Sequence, residues 1–172
     1  MGKLVKVPFI SLVLALIPAV FTFSLASDLL TIKRVVDGDT LLLQNGERVR
    51  LIGVDTPEVH ESDKLQRDAE RTHTDVETIR QLGRKSSAFV KKTVQGKGVR
   101  LEYDQANTAI GHRDRYGRTL AYVYLEDGTF LNADIVRQGY GVAYTKYPFQ
   151  YVDEFQKNER KAREKGWGLW GN

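Results

Sequence analysis

The sequence predicts an α+β domain in which five short strands close into a small barrel, one helix lies between the third and fourth strands, and two more follow the fifth. Three observations carry this reading. Apolar runs rich in β-branched residues follow one another closely, separated by Asp37-Gly38-Asp39 and by Asn45-Gly46, a strong hairpin signal because both residues tolerate positive φ. Val76, Ile79, Gly83, Ser86, Val90 and Val94 then recur at three- and four-residue steps, the period of one helical face. Beyond the last strand, two helical segments stop at Gly139 and Gly166. Five-stranded barrels of the oligonucleotide/oligosaccharide-binding kind, the OB-fold, have this order of elements.

The chain opens with a targeting signature. Lys3 and Lys6 give a positive start, Val7 to Phe23 is almost wholly apolar, and Ser24-Leu25-Ala26 offers small residues at both positions a signal peptidase reads. Residues 1–26 are therefore expected to be a signal peptide and residues 27–172 the domain, exported to the periplasm or secreted. The alternative is an uncleaved anchor formed by residues 7–26, long enough to cross a bilayer although Pro8 and Pro18 interrupt it.

Leu29 to Val36 reads as the first strand, Thr40 to Gln44 as the second, and Arg48 to Val54 as the third, a meander. Leu41 to Leu43 is apolar on both faces, which a curled sheet explains better than a flat one. Val59 to Asp75 is dominated by charge and reads as a solvated loop or an exposed helical extension. After the helix that begins near Thr74 and ends at Gly96, Val99 to Tyr103 forms a fourth strand with Tyr103 expected inward. A polar stretch from Asp104 to Gly117 leads to the fifth strand, Leu120 to Leu125. Leu131 to Gln138 and Tyr151 to Lys165 are the last helices, joined by an aromatic loop or irregular strand, and Trp167 and Trp170 are expected to dock the tail.

Composition narrows the chemistry. There is no cysteine, which removes thiol catalysis, thiolate metal sites and disulfides, so an exported domain must rely on its core. The chain carries 26 Lys plus Arg against 22 Asp plus Glu; without Lys3 and Lys6 the counts are 24 and 22. So small an excess says little about a polyanionic partner, and any phosphate must be bound by local arginines. His60, His73 and His112 lack metal-ligand spacing and read as solvated.

Asp39 and Asp55 each stand at a strand edge, where two carboxylates close together would call for a hard cation such as Ca²⁺; spacing alone favours the simpler reading of Asp37, Asp39 and Asp55 as turn residues. Glu58 follows Asp55 across the rigid Pro57 and is either a general base or a surface glutamate. Arg50 interrupts an apolar strand, and Arg118 precedes the fifth; guanidinium groups suit phosphate, but a buried ion pair and a solvated loop residue account for them too. In a regular strand Arg50 and Asp55, five residues apart, face opposite sides, so a shared site requires a bulge at Gly53 or a turn after Val54. Tyr116 and Tyr144 could stack a base.

Val36-Asp37-Gly38-Asp39-Thr40, the run Arg50 to Glu58, the run Asp114 to Tyr122, and Leu131 to Gly139 together closely resemble the staphylococcal nuclease (thermonuclease) family, in order from about Leu29 to Trp170. The resemblance implies an OB-fold barrel and calcium-dependent hydrolysis of DNA and RNA, with 3′-phosphate ends left. By motif position, Asp39, Asp55 and the Thr56 carbonyl resemble the metal ligands, with Asp37 beside them. Glu58 resembles the general base, and Arg50 and Arg118 the two arginines on the scissile phosphate. Tyr116 and Tyr144 match the tyrosines of the nucleotide pocket, and Arg115 stands where the family often has a lysine contacting a terminal phosphate. A monomer acting on single-stranded or frayed substrate is expected. Val59 to Asp75 is longer than the corresponding loop of the smallest secreted members, and Thr145-Lys146-Tyr147 differs from the family pattern.

Overall fold

The computed structural model describes Gly2 and residues 29–171, so the signal expected in residues 1–26 lies outside the described residues, Gly2 apart. Strands β1 (Leu30–Asp37), β2 (Thr40–Leu43) and β3 (Arg48–Leu51) form the meander, followed by a short β4 (Val54–Asp55). Helices α1 (Asp63–Thr72) and α2 (Val76–Val94) lead to β5 (Gly98–Glu102), a 3₁₀ turn (Gln105–Ile110) and β6 (Thr119–Leu125). Helix α3 (Leu131–Arg137), β7 (Val142–Ala143), α4 (Val152–Lys165) and a 3₁₀ turn (Gly168–Trp170) complete the chain.

The five longer strands close into a barrel in the order β1-β2-β3-β6-β5, with β3 and β6 parallel and the other pairs antiparallel. Leu41, Leu43, Val49, Leu51, Val99, Ala121, Val123 and Leu125 are buried in the core, and α2 adds Val90 and Val94. Leu42 is half-buried, as a strand with apolar residues on both faces requires. Fully burying one such aliphatic side chain stabilises the fold by about 1.5–3 kcal/mol. A second apolar layer joins α3, α4 and the loop before α4, where Phe155 is fully buried against Phe149 and Phe130.

The expected third strand is in fact two. It breaks at Ile52-Gly53, where Gly53 takes φ +74°, and Val54–Asp55 leaves the barrel to pair with β7. A methyl group on Gly53 would lie 2.6 Å from the Phe149 ring, so both the conformation and the close approach exclude a side chain. Asn132, fully buried in the first turn of α3, clamps this break: Nδ2 donates to the Ile52 carbonyl at 2.9 Å and to that of Ala121 at 3.2 Å, while Oδ1 accepts from Val123 N at 2.9 Å. Asn132→Ala leaves buried backbone groups without partners and is expected to lower the unfolding free energy by about 2–4 kcal/mol, read as a fall in the urea midpoint at unchanged slope.

Of the two readings of Val59 to Asp75, the structure has the exposed helical extension: α1, capped by Ser62, whose side chain accepts from Leu65 N, and pinned by the fully buried Leu65. Other expectations need correction. Tyr103 is 53% exposed because β5 ends at Glu102, and its ring packs on His112 instead of the core. His112 itself is half-buried in a left-handed conformation, not solvated. The stretch after β5 is organised by Asp104, which is buried and accepts from the Tyr122 hydroxyl and from the amides of Ala106 and Gln150. Burial alone would raise the Asp104 pKa; these hydrogen bonds outweigh it and hold the carboxyl below its usual range. At the tail, Trp170 is half-buried under Arg163 at 3.8 Å, whereas Trp167 stays 39% exposed.

Candidate active site

One end of the barrel, around the break at Gly53, gathers most of the charged residues singled out above. Because the chain turns at Ile52-Gly53, Arg50 and Asp55 meet despite their odd separation: Arg50 Nη2 donates to Asp55 Oδ1 at 3.1 Å. The same guanidinium donates from Nη1 to the Val54 carbonyl at 2.6 Å and lies 3.3 Å from Asp39 Oδ2. Asp39, only 5% exposed, also accepts from the amide and hydroxyl of Thr56, at 3.1 and 3.2 Å. Its other oxygen accepts from the Thr40 hydroxyl at 2.9 Å, and Arg118 Nη1 donates to that hydroxyl at 3.3 Å. The two arginines are thus linked through Thr40 and Asp39.

Helix α2 is the wall behind these loops, and its small residues explain the fit. A methyl on Gly83 would lie 2.7 Å from the Pro57 carbonyl oxygen and 2.8 Å from that of Glu58, so only glycine lets the helix press against the backbone that carries Glu58. Ser86, one turn on, faces Gly38 in the turn before Asp39 and donates to the Tyr140 carbonyl at 2.5 Å. The Gly83 and Ser86 positions of the apolar stripe therefore position the site more than they fill a core.

Arg115, Tyr116 and Arg118 share one tight turn. Asp114 accepts from the amides of Tyr116 and Arg118 and from Arg118 Nε, while Gly117 takes φ +74°. The Tyr116 ring is 65% exposed, with the Arg115 and Arg118 guanidinium carbons 4.7 and 5.4 Å from its centroid. Tyr144 reaches the site from the other side: its amide donates to the Gly53 carbonyl at 2.9 Å, and Arg50 stands 6.0 Å from its ring centroid.

Charge balance at the mouth is uneven. Burial and the neighbouring charges of Asp39 and Glu58 push the Asp37 carboxyl above its usual range, and its Oδ1 is buried without a hydrogen-bond partner among the described residues. Burial likewise raises Asp55, against the pull of Lys64 and Arg50. Lys64 is the residue that sequence reasoning missed. Its Nζ lies 2.9 Å from Glu58 Oε1, 3.2 Å from Asp55 Oδ1 and 3.0 Å from the Thr56 carbonyl oxygen. Burial would lower its pKa, but Asp55 and Glu58 overcome that and hold the ammonium above its usual range. The signal for it was slight: Ser62 three residues before Leu65, with Asp68 one turn beyond Lys64.

The donor set fits a hard divalent cation. Four carboxyl groups, Asp37, Asp39, Asp55 and Glu58, stand against Arg50 and Lys64, a surplus of two acids over bases. The oxygens of Asp55, Thr56 and Glu58 already surround one positive charge, the Lys64 ammonium, which stands in for an ion. All are oxygen donors, the choice of Ca²⁺ and Mg²⁺ rather than zinc. Among the described residues, no three His, Cys, Asp or Glu side chains enclose a point by themselves, so a backbone carbonyl and water would have to contribute.

The chain is similar to known proteins over most of its length. Residues 48–172 match the family model described as staphylococcal nuclease homologue. The chain is 35% identical over 143 residues to the thermonuclease of Staphylococcus intermedius, covering 81% of this chain and 74% of that protein. It is 31% identical over 143 residues to the thermonuclease of Staphylococcus hyicus, covering 81% and 73%. With endonuclease YncB of Bacillus subtilis the identity is 31% over 145 residues, covering 81% of this chain and 60% of that protein.

Proposed function

The chain belongs to the staphylococcal nuclease family, and we propose that this hydrolase performs calcium-dependent, sugar-nonspecific cleavage of DNA and RNA at the mouth of its barrel, leaving 3′-phosphate ends. The observation that carries the finer reading is the turn at Gly53, which brings Arg50 against Asp39 and Asp55 beside Thr56 and Glu58. Asp39, Asp55 and the Thr56 carbonyl would hold the ion, with Asp37 adding negative charge behind them. When bound, calcium would neutralise these carboxylates and polarise a non-bridging phosphate oxygen.

The chain's own residues supply the rest. Glu58 takes a proton from the attacking water onto a carboxylate oxygen as that water's oxygen bonds to phosphorus. The bond from phosphorus to the 5′-oxygen breaks in line, the departing oxygen takes a proton from solvent, and the phosphate stays on the 3′ side. Arg50 and Arg118 hold the non-bridging oxygens and stabilise the charge that accumulates on them in the transition state. Tyr116 and Tyr144 flank the phosphate and can stack on unpaired bases, which favours single-stranded or frayed substrate, and Arg115 meets a terminal phosphate. A single copy carries every one of these groups, so a monomer suffices. Residues 1–26 would direct residues 27–172 out of the cytoplasm, as a cleaved signal or through an anchor in residues 7–26.

The direction of cleavage is tested on 5′-labelled DNA and RNA oligonucleotides digested with Ca²⁺. Products are expected to carry 3′-phosphates and to shift in mobility when a 3′-phosphatase removes them. Products ending in 3′-hydroxyls would overturn the assigned leaving group.

A further inference from the structure

Helix α1 brings to the carboxylates a cation that the hydrolytic scheme does not use. Lys64 Nζ is within 3.2 Å of one oxygen each from Asp55, Thr56 and Glu58, the groups assigned to the ion and to the proton transfer. Its placement is built in. Lys64 is the second residue of a helix capped by Ser62 and pinned by Leu65, and Glu61, just before the cap, pairs with Arg80 of α2 and accepts from Gln66. Asp68, one turn along, lies 3.9 Å from the ammonium.

An ammonium and a divalent ion compete for these oxygens. Asp55 Oδ1 already receives Arg50 as well as Lys64, and a further positive charge at such a separation would be strongly repelled by the ammonium. Resting on the metal-dependent reading above, we infer that Lys64 is a tethered counter-ion: it closes the metal site when no divalent ion is bound, and the ion enters by displacing the ammonium from Asp55, Thr56 and Glu58. Two consequences follow. The affinity for the ion is reduced by the competitor the chain carries. The arrival of the ion also releases Glu58 from its ion pair, so filling the site and freeing the general base are one event.

Calorimetric titration of Ca²⁺ into the wild-type chain, Lys64→Met and Lys64→Gln tests this without reference to activity. Both replacements keep an unbranched, helix-compatible side chain, and circular dichroism confirms folding. Each variant is expected to bind Ca²⁺ about tenfold or more tightly than wild type, because the competing charge is gone. Each should also show a lower Tm without Ca²⁺ and a larger rise in Tm when it is added. Equal Kd values in all three proteins would overturn the inference while leaving the metal-dependent reading intact, and so would weaker binding by the variants. Folded proteins that show no Ca²⁺ binding at all would overturn that reading and this inference with it.

Discussion

Arg50→Ala is expected to lower kcat/KM by about 10³- to 10⁵-fold, the range for removing an arginine that stabilises a phosphoryl transition state. The Arg50 side chain is 12% exposed and ties together Asp39, Asp55 and the Val54 carbonyl, so the substitution also leaves the buried Asp39 and the half-buried Asp55 short of a cation. Breaking a buried pair in this way costs about 3–5 kcal/mol, and a fall in Tm should accompany the loss of activity. Added Ca²⁺ should restore part of that Tm, since an ion among the same oxygens replaces the missing charge, but should leave the rate low. Arg50→Lys separates the two effects. It keeps the charge and loses the planar fork, so stability should recover further than turnover. Steady-state kinetics beside thermal melts with and without Ca²⁺ read both quantities, and full activity in the folded Arg50→Ala protein would remove Arg50 from the phosphate.

Glu58→Ala should reduce kcat by about 10²- to 10⁴-fold with KM changed only a few-fold, the pattern for losing a group that acts in proton transfer rather than binding. Glu58 is well placed for that split. Its carboxylate pairs with Lys64 and, among the described residues, makes no hydrogen bond or ion pair to Arg50 or Asp39, so its removal leaves the Arg50–Asp39 pair that shapes the pocket in place. The backbone beneath it is fixed by Pro57 and by the approach of α2 at Gly83, so the loop should not collapse. Unchanged kcat in Glu58→Ala would remove the residue from the chemistry.

The parts of this molecule that were legible in the sequence are those set by local signals. Asn45-Gly46, the helical stripe of α2 and the glycines after α3 and α4 each state a conformation within a few residues. The encounter of Arg50 with Asp55 was legible only as a condition, since strand parity separates them and a bend at Gly53 reunites them. What holds that bend, the Asn132 side chain some 80 residues further on, leaves no mark in the local pattern. Lys64 escaped for a related reason. One buried leucine in a run of charges makes no period, so α1 looked solvated although its first turn points a cation into the site. Tyr103 fails in the opposite sense: alternation was extended one residue past the end of β5, where pairing no longer dictates which way a side chain points. Gly83 and Ser86 read as helix packing, and their closeness to Glu58 and Gly38 emerges only once the loops fold over them.

The central claim is that these oxygens and guanidinium groups form one metal-dependent phosphodiesterase centre. Cleavage of plasmid and single-stranded DNA by the full chain, followed with Ca²⁺ and then with excess chelator, tests it most directly. The account predicts cleavage with Ca²⁺, its loss on chelation and its return when Ca²⁺ is restored; cleavage continuing at the same rate under chelation would contradict it.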